Sequence, residues 1–146
     1  MSTLTPGGGT PVAGTQMGPS LGLRDGQVVQ EIGYDDDVDF DLRDAIEEAI
    51  GDELVDEDWN DVTDAALIWW REGDGDLTDT IVDALAVLED GGVVWVLTPK
   101  SGRRGYIEAS EVAEAASIAG LHTANCVSVG KDWAGTRLTA RGRSKK

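Results

Sequence analysis

From Gln27 onward, short apolar runs alternate with longer stretches in which apolar residues recur every three or four positions. The first run, "QVVQEI" (27–32), has the length of a strand and is followed by the aspartate-rich "GYDDDVDFD". Leu42, Ala45, Ile46, Ala49 and Ile50 then fall at helical spacing, from an aspartate cap to Gly51, a good C′ residue. A short "ELV" (53–55) is expected as an edge strand, and "DAALIWW" (64–70) as a parallel strand buried on both faces. Leu77, Ile81, Leu85 and Leu88 form one stripe, predicting a helix capped by Asp76 or Asp74 and stopped at Gly91. "VVWVLT" (93–98) is the most apolar strand and is placed at the sheet centre, with Pro99 ending its pairing. "EASEVAEAASIAG" (108–120) reads as a helix, and "NCVSVG" and "GTRLTA" as two strands around the turn "KDWAG". Alternating strands and helices with short links predict a three-layer, Rossmann-like α/β domain. Its sheet is mostly parallel, with an antiparallel C-terminal strand pair.

The ends differ in composition. Residues 1–20 are rich in Gly, Pro, Ser and Thr and carry no charged side chain, so they read as a disordered tail; residues 141–146 read as a basic tail. A single domain over 21–140 is expected, large enough to bury a core. The formal net charge of -16 is unevenly spread. Residues 25–90 hold 24 acids against two bases, Arg43 and Arg71, while residues 91–146 hold nine bases against four acids. That field repels nucleic acid as a main partner and favours a basic protein partner; the alternative is that the acidic face only keeps the chain in solution. One cysteine, Cys126, excludes an internal disulfide, and with one histidine, His122, it excludes the common zinc arrangements. No run approaches a membrane span and no signal-like start is present, so a cytoplasmic home is expected.

The strings "DGQVVQEIGYDDDVDFDLR", "ELVDEDW", "DGDLTDTIVDALAVLEDGGVVWVLTPKSGRRG" and "KDWAGTRL" resemble the bacterial domain-of-unknown-function 3052 family, from about Leu21 to Ala140. The resemblance implies no activity. The layout is more distantly similar to a shortened class I methyltransferase fold, with "QVVQEIG" in place of its first strand, "DAALIWW" its fourth, "GGVVWVLTPK" its fifth and the terminal pair its sixth and seventh. Such a fold implies S-adenosylmethionine held by a glycine-rich loop after the first strand and an acid ending the second. Here Gly33 stands alone, followed by Tyr34 and the aspartates.

Ligands of open α/β sheets bind beyond the carboxyl ends of the strands, so any pocket is expected among Gly33–Asp37, Trp70–Asp74 and Thr98–Arg104. Lys100, Arg103 and Arg104 form an internal salt-bridge patch with the aspartates or an anion anchor. Asp35, Asp36, Asp37 and Asp39 fail the calcium-loop pattern because Leu42 occupies its glycine position. A looser divalent cation held by Asp35, Asp36 and Asp37 stays open, beside the commoner reading that an aspartate caps the following helix. No organic cofactor is expected. Cys126 and His122 stand four apart, about 13 Å if extended. No glycine elbow surrounds Cys126 or Ser128, so no catalytic residue is assigned, and Cys126 reads as a small core residue. Trp69 and Trp70 point to opposite faces of one strand and Trp95 reads as core. Trp59 and Trp133 lie among polar residues and are expected to be partly exposed, as packed loop residues or interface anchors. The favoured function is a non-catalytic adaptor using the acidic face from Tyr34 to Asp61; the rivals are a ligand or metal activity at the sheet edge and a residual methyltransferase.

Overall fold

The structure, a computed structural model, describes residues 21–140; the two expected tails lie outside the described residues. Strands β1 (Val29–Ile32), β2 (Thr63–Trp69), β3 (Leu88–Pro99), β4 (Leu121–Val129) and β5 (Trp133–Ala140) form a five-stranded sheet in the order β1-β2-β3-β5-β4. β1, β2 and β3 run parallel, β5 is antiparallel to β3, and β4 is antiparallel to β5. Helices α1 (Phe40–Ile50), α2 (Leu77–Leu85) and α3 (Ala109–Ile118) complete the three layers. The fold is Rossmann-like, as the alternating pattern predicts.

Strand pleating divides the core in two. Leu67, Trp69, Trp95 and Leu97 face α1 and pack against its Leu42, Ile46 and Ile50. Ala66, Ile68, Trp70, Val94 and Val96 face α2 and α3, meeting Leu77, Ile81, Val112 and Ala116. The continuous apolar run of β2 exists because both its faces are covered, and each large side chain so buried contributes about 1.5–3 kcal/mol. Trp69 and Trp95 are fully buried, as expected.

Capping places the ends of α1. The Asp39 carboxylate accepts from the Leu42 N–H at 2.9 Å, and Gly51 adopts φ 80°, the left-handed conformation that a Cβ disfavours. Asp76, rather than Asp74, caps α2.

Three expectations are corrected. The second helix stops at Leu85 instead of running to Gly91, because Val87 and Leu88 are claimed by β2: the Thr63 N–H donates to Val87 O at 2.8 Å and Thr63 pairs with Leu88. Helical spacing continued by chance into a strand, whose pairing then skips from Leu88 to Val93 across a bulge. The edge strand "ELV" shrinks to one parallel bridge, Gln30 to Val55, beside β1. β4 and β5 each begin earlier than the sequence pattern indicates, at Leu121 and Trp133. Among the described residues no helix is long and apolar enough to cross a membrane.

Candidate functional site

The segments expected to frame a pocket converge at the carboxyl ends of β1, β2 and β3, where one side chain ties the first of them to the second. Arg71, just beyond β2, forms a two-pronged ion pair with Asp37, Nη2 to Oδ1 at 2.6 Å and Nε to Oδ2 at 3.0 Å. Its Nη1 donates to the carbonyls of Gly33 (2.9 Å) and Trp69 (3.3 Å) and reaches Asp74 at 3.3 Å. The guanidinium lies 5.3 Å over the Trp133 ring, and the Trp133 indole N–H donates to Asp37 O at 3.1 Å. The aspartate loop is thereby fastened to β2 and to the start of β5.

A second ion pair lies one layer deeper. Glu31 stands two residues beyond Val29 on β1, on the same face, and so points toward α1, where its buried carboxylate takes two hydrogen bonds from Arg43, at 2.7 and 2.9 Å, and one from the Trp69 indole at 2.9 Å. Arg43 also lies 4.8 Å over the Tyr34 ring, and Tyr34 meets Phe40 edge to face at 6.1 Å. Both rings are nearly half exposed, forming an aromatic step within the acidic surface.

The hydrogen bond from Arg71, opposed by partial burial, lowers the pKa of Asp37 below its ordinary value. Burial works against the charge on Arg71, but its two carboxylate partners outweigh burial and raise its pKa; the hydrogen bond to Glu31 raises that of Arg43. Because the pKa of Asp37 is depressed on folding, its ion pair contributes stability above the ordinary carboxylate range and loses it as pH falls through the depressed value. The effect is small because the Asp37 side chain is 56% exposed. In an NMR titration Asp37 should protonate at lower pH than free aspartate, and Arg71→Ala should return it to the ordinary range; an unchanged Asp37 midpoint in the variant would refute the pairing.

The four aspartates have separate places. Asp39 caps α1, Asp37 holds Arg71, Asp35 accepts from the Asp36 N–H at 2.7 Å, and Asp36 is exposed. Among the described residues no group of three His, Cys, Asp or Glu side chains is gathered as a metal site. Lys100 and Arg103 do not reach the aspartates. Lys100 Nζ donates to Gly130 O at 3.0 Å and Arg103 pairs with Asp132 at 3.0 Å, so both brace the β4–β5 turn, while Arg104 is exposed. Trp133 is a correction: at 3% exposure it is core, because the turn ends before it and β5 carries it under α1 against Trp69. Trp59 is partly exposed as expected, and Trp70 is buried against α2 and α3. Cys126 is a second correction, since it lies exposed on the outermost strand. Sequence reasoning missed Glu31, Arg43, Glu57 and Arg71 as site residues. The signal was present for two of them, since Arg43 and Arg71 are the only bases among residues 25–90 and each is committed to a carboxylate.

Comparison with known proteins agrees with this architecture. The family model "Protein of unknown function (DUF3052)" matches residues 19–142. Uncharacterized proteins of Mycobacterium tuberculosis and Mycobacterium bovis are 48% identical over 137 residues, covering 92% of this chain and 86% of theirs. Among solved structures, a SAM-dependent methyltransferase from Aquifex aeolicus aligns with a TM-score of 0.54 at 14% identity, over 80% of this chain and 83% of its own. The pyocyanin biosynthetic protein PhzM aligns at 0.57 and 13% identity, over 80% of this chain and 51% of its own. Likeness at such identity is a likeness of fold.

That fold implies an S-adenosylmethionine cradle after the first strand, and the residues present do not fit one. A Cβ at Gly33 would collide with the Trp69 carbonyl, so the loop lies directly on the end of β2. The Gly33 N–H is taken by Glu57 at 2.9 Å, just after the Val55 bridge, and the Gly33 carbonyl by Arg71. The Gly33 N–H and the Glu57 carboxylate satisfy each other.

Proposed function

The chain belongs to the DUF3052 family, and from that premise we propose that it is a non-catalytic adaptor on a methyltransferase-like scaffold, receiving a basic protein partner on its acidic face. The observation that carries this reading is the closure at the end of β1: Glu57 on Gly33, and Arg71 on Asp37 and Gly33, occupy the groups a small ligand would use. What stays open beside that closure is the Tyr34–Phe40 step, framed by Asp35, Asp36, Asp41 and Asp44. Arg43 already lies over the Tyr34 ring, and the exposed remainder of the step accepts an arginine or lysine side chain while the carboxylates hold the charge. Trp59, Val62 and the acids of 56–61 extend the same face beyond the β1 edge. Attraction between the net charge of -16 and a basic partner speeds encounter and weakens as salt rises.

The test separates docking from folding. Asp37 and Asp39 are left alone because they hold the loop and cap α1. Asp35→Lys, Asp36→Lys and Asp41→Lys together, and Tyr34→Ala with Phe40→Ala, should each reduce capture of a basic partner by at least about tenfold with the melting temperature little changed. Capture retained by the charge-reversed protein would sink the adaptor reading. A saturable rise in melting temperature with S-adenosylmethionine would replace it with the methyltransferase reading, since a ligand bound only to the native state raises its apparent stability.

A further inference from the structure

The two edges of the sheet are treated differently. At the β1 edge Val55 closes the ladder, its N–H donating to Val29 O at 2.9 Å and its carbonyl accepting from the Glu31 N–H at 2.8 Å. At the other edge β4 pairs with β5 on one side, and among the described residues no backbone group of Leu121–Val129 bonds to any other segment. Exposed edges are ordinarily guarded by charge, proline, brevity or a covering segment. "LHTANCVSV" has nine residues, no Asp, Glu, Lys, Arg or Pro, and one irregularity, between Thr123 and Asn125. The outer edge of Asn125–Val129 is therefore a regular, uncharged template, unpaired among the described residues. Beside it, at the end of α3, which packs on β4, Ile118 is 67% exposed.

We propose that β4 is a homodimer seam: two copies pair antiparallel through Asn125–Val129 about a two-fold axis, joining two five-stranded sheets into one. Charge selects a second copy as the occupant. The acids of residues 25–90 lie on β1, β2, the start of β3, α1, α2 and their loops, and the strand order puts β4 at the sheet edge farthest from β1. A partner drawn by charge goes to that acidic side, whereas an uncharged edge offers it no such attraction. Two copies carrying -16 each repel when their acidic sides approach, and the β4 arrangement places those sides farthest apart. A two-fold axis also brings identical edges together in matching register, the usual form of a small homodimer. The seam is independent of the adaptor reading; with both, a dimer presents two acidic faces pointing outward.

Light scattering on the purified chain should give twice the 15.5 kDa of one copy at micromolar concentration and above. Ser128→Lys sets like charges against each other across the seam and should raise the dimer dissociation constant at least about tenfold. Its circular dichroism should match the parent, since Ser128 is exposed in the single copy. Cys126 is the sole cysteine of the chain and lies within this segment, so a thiol-specific linker spanning about 8 Å should join two wild-type copies, whether or not the lysine variant folds. A mass of one copy at every concentration overturns the proposal. So does a dimer that Cys126 cannot link, or one that a folded Ser128→Lys variant retains.

Discussion

Trp133→Ala is expected to lower the unfolding free energy by about 3–5 kcal/mol, the range for truncating a buried tryptophan. The ring meets Trp69 edge to face at 4.9 Å, supports the Arg71 guanidinium and donates to the Asp37 carbonyl, so its removal opens a void and releases the aspartate loop together. Trp133→Phe keeps most of the ring and loses the hydrogen bond, and should cost about 1–2 kcal/mol. Urea denaturation checks both. A loss below about 1 kcal/mol for alanine would mean that this side chain is not the packed element that its 3% exposure indicates.

Glu31→Ala should have the next largest effect, about 3 kcal/mol, because it leaves the Arg43 guanidinium and the Trp69 indole N–H without their acceptor. The lower end of the range for a broken buried pair applies, since the Arg43 side chain is 22% exposed and finds some water. The companion variant decides what the pair is for. Replacing Glu31 and Arg43 together with leucine and methionine should recover the part of the loss that comes from the unpaired guanidinium, while the buried Trp69 indole N–H still lacks its acceptor. If the double variant is as stable as the parent yet loses capture of a basic partner, Arg43 acts by holding Tyr34 in place. If it loses both, the pair is part of the framework.

The difference between these residues in the sequence is instructive. Trp69, Trp70 and Trp95 sit in apolar runs, and alternation alone assigns each to a covered face. Trp133 sits in "KDWAG", where flanking polarity argues for exposure, and what buries it is the position of the turn one residue earlier. Leu88 misled in the opposite direction, since three residues from Leu85 is helical spacing whether or not the helix continues. Cysteines usually belong to the core, but Cys126 is exposed on β4, which among the described residues has a strand neighbour on one side only.

Local pattern was sufficient for the order of the main strands and helices, the Asp39 cap, the Gly51 stop and the Rossmann-like layering, because burial on one or two faces imposes a period that neighbouring residues share. The sequence also determined the charge imbalance and showed that only two bases stand among 24 acids. Tertiary structure alone decided which acids those bases meet, that Glu31 faces inward, that Glu57 turns onto Gly33, and that Lys100 and Arg103 brace a turn instead of the aspartates. Arg71 and Asp37 are 34 positions apart, and Trp133 bonds to Asp37 across 96. Pairings over such separations depend on strand order and on where each loop leaves the sheet, and no periodicity in the intervening chain encodes them.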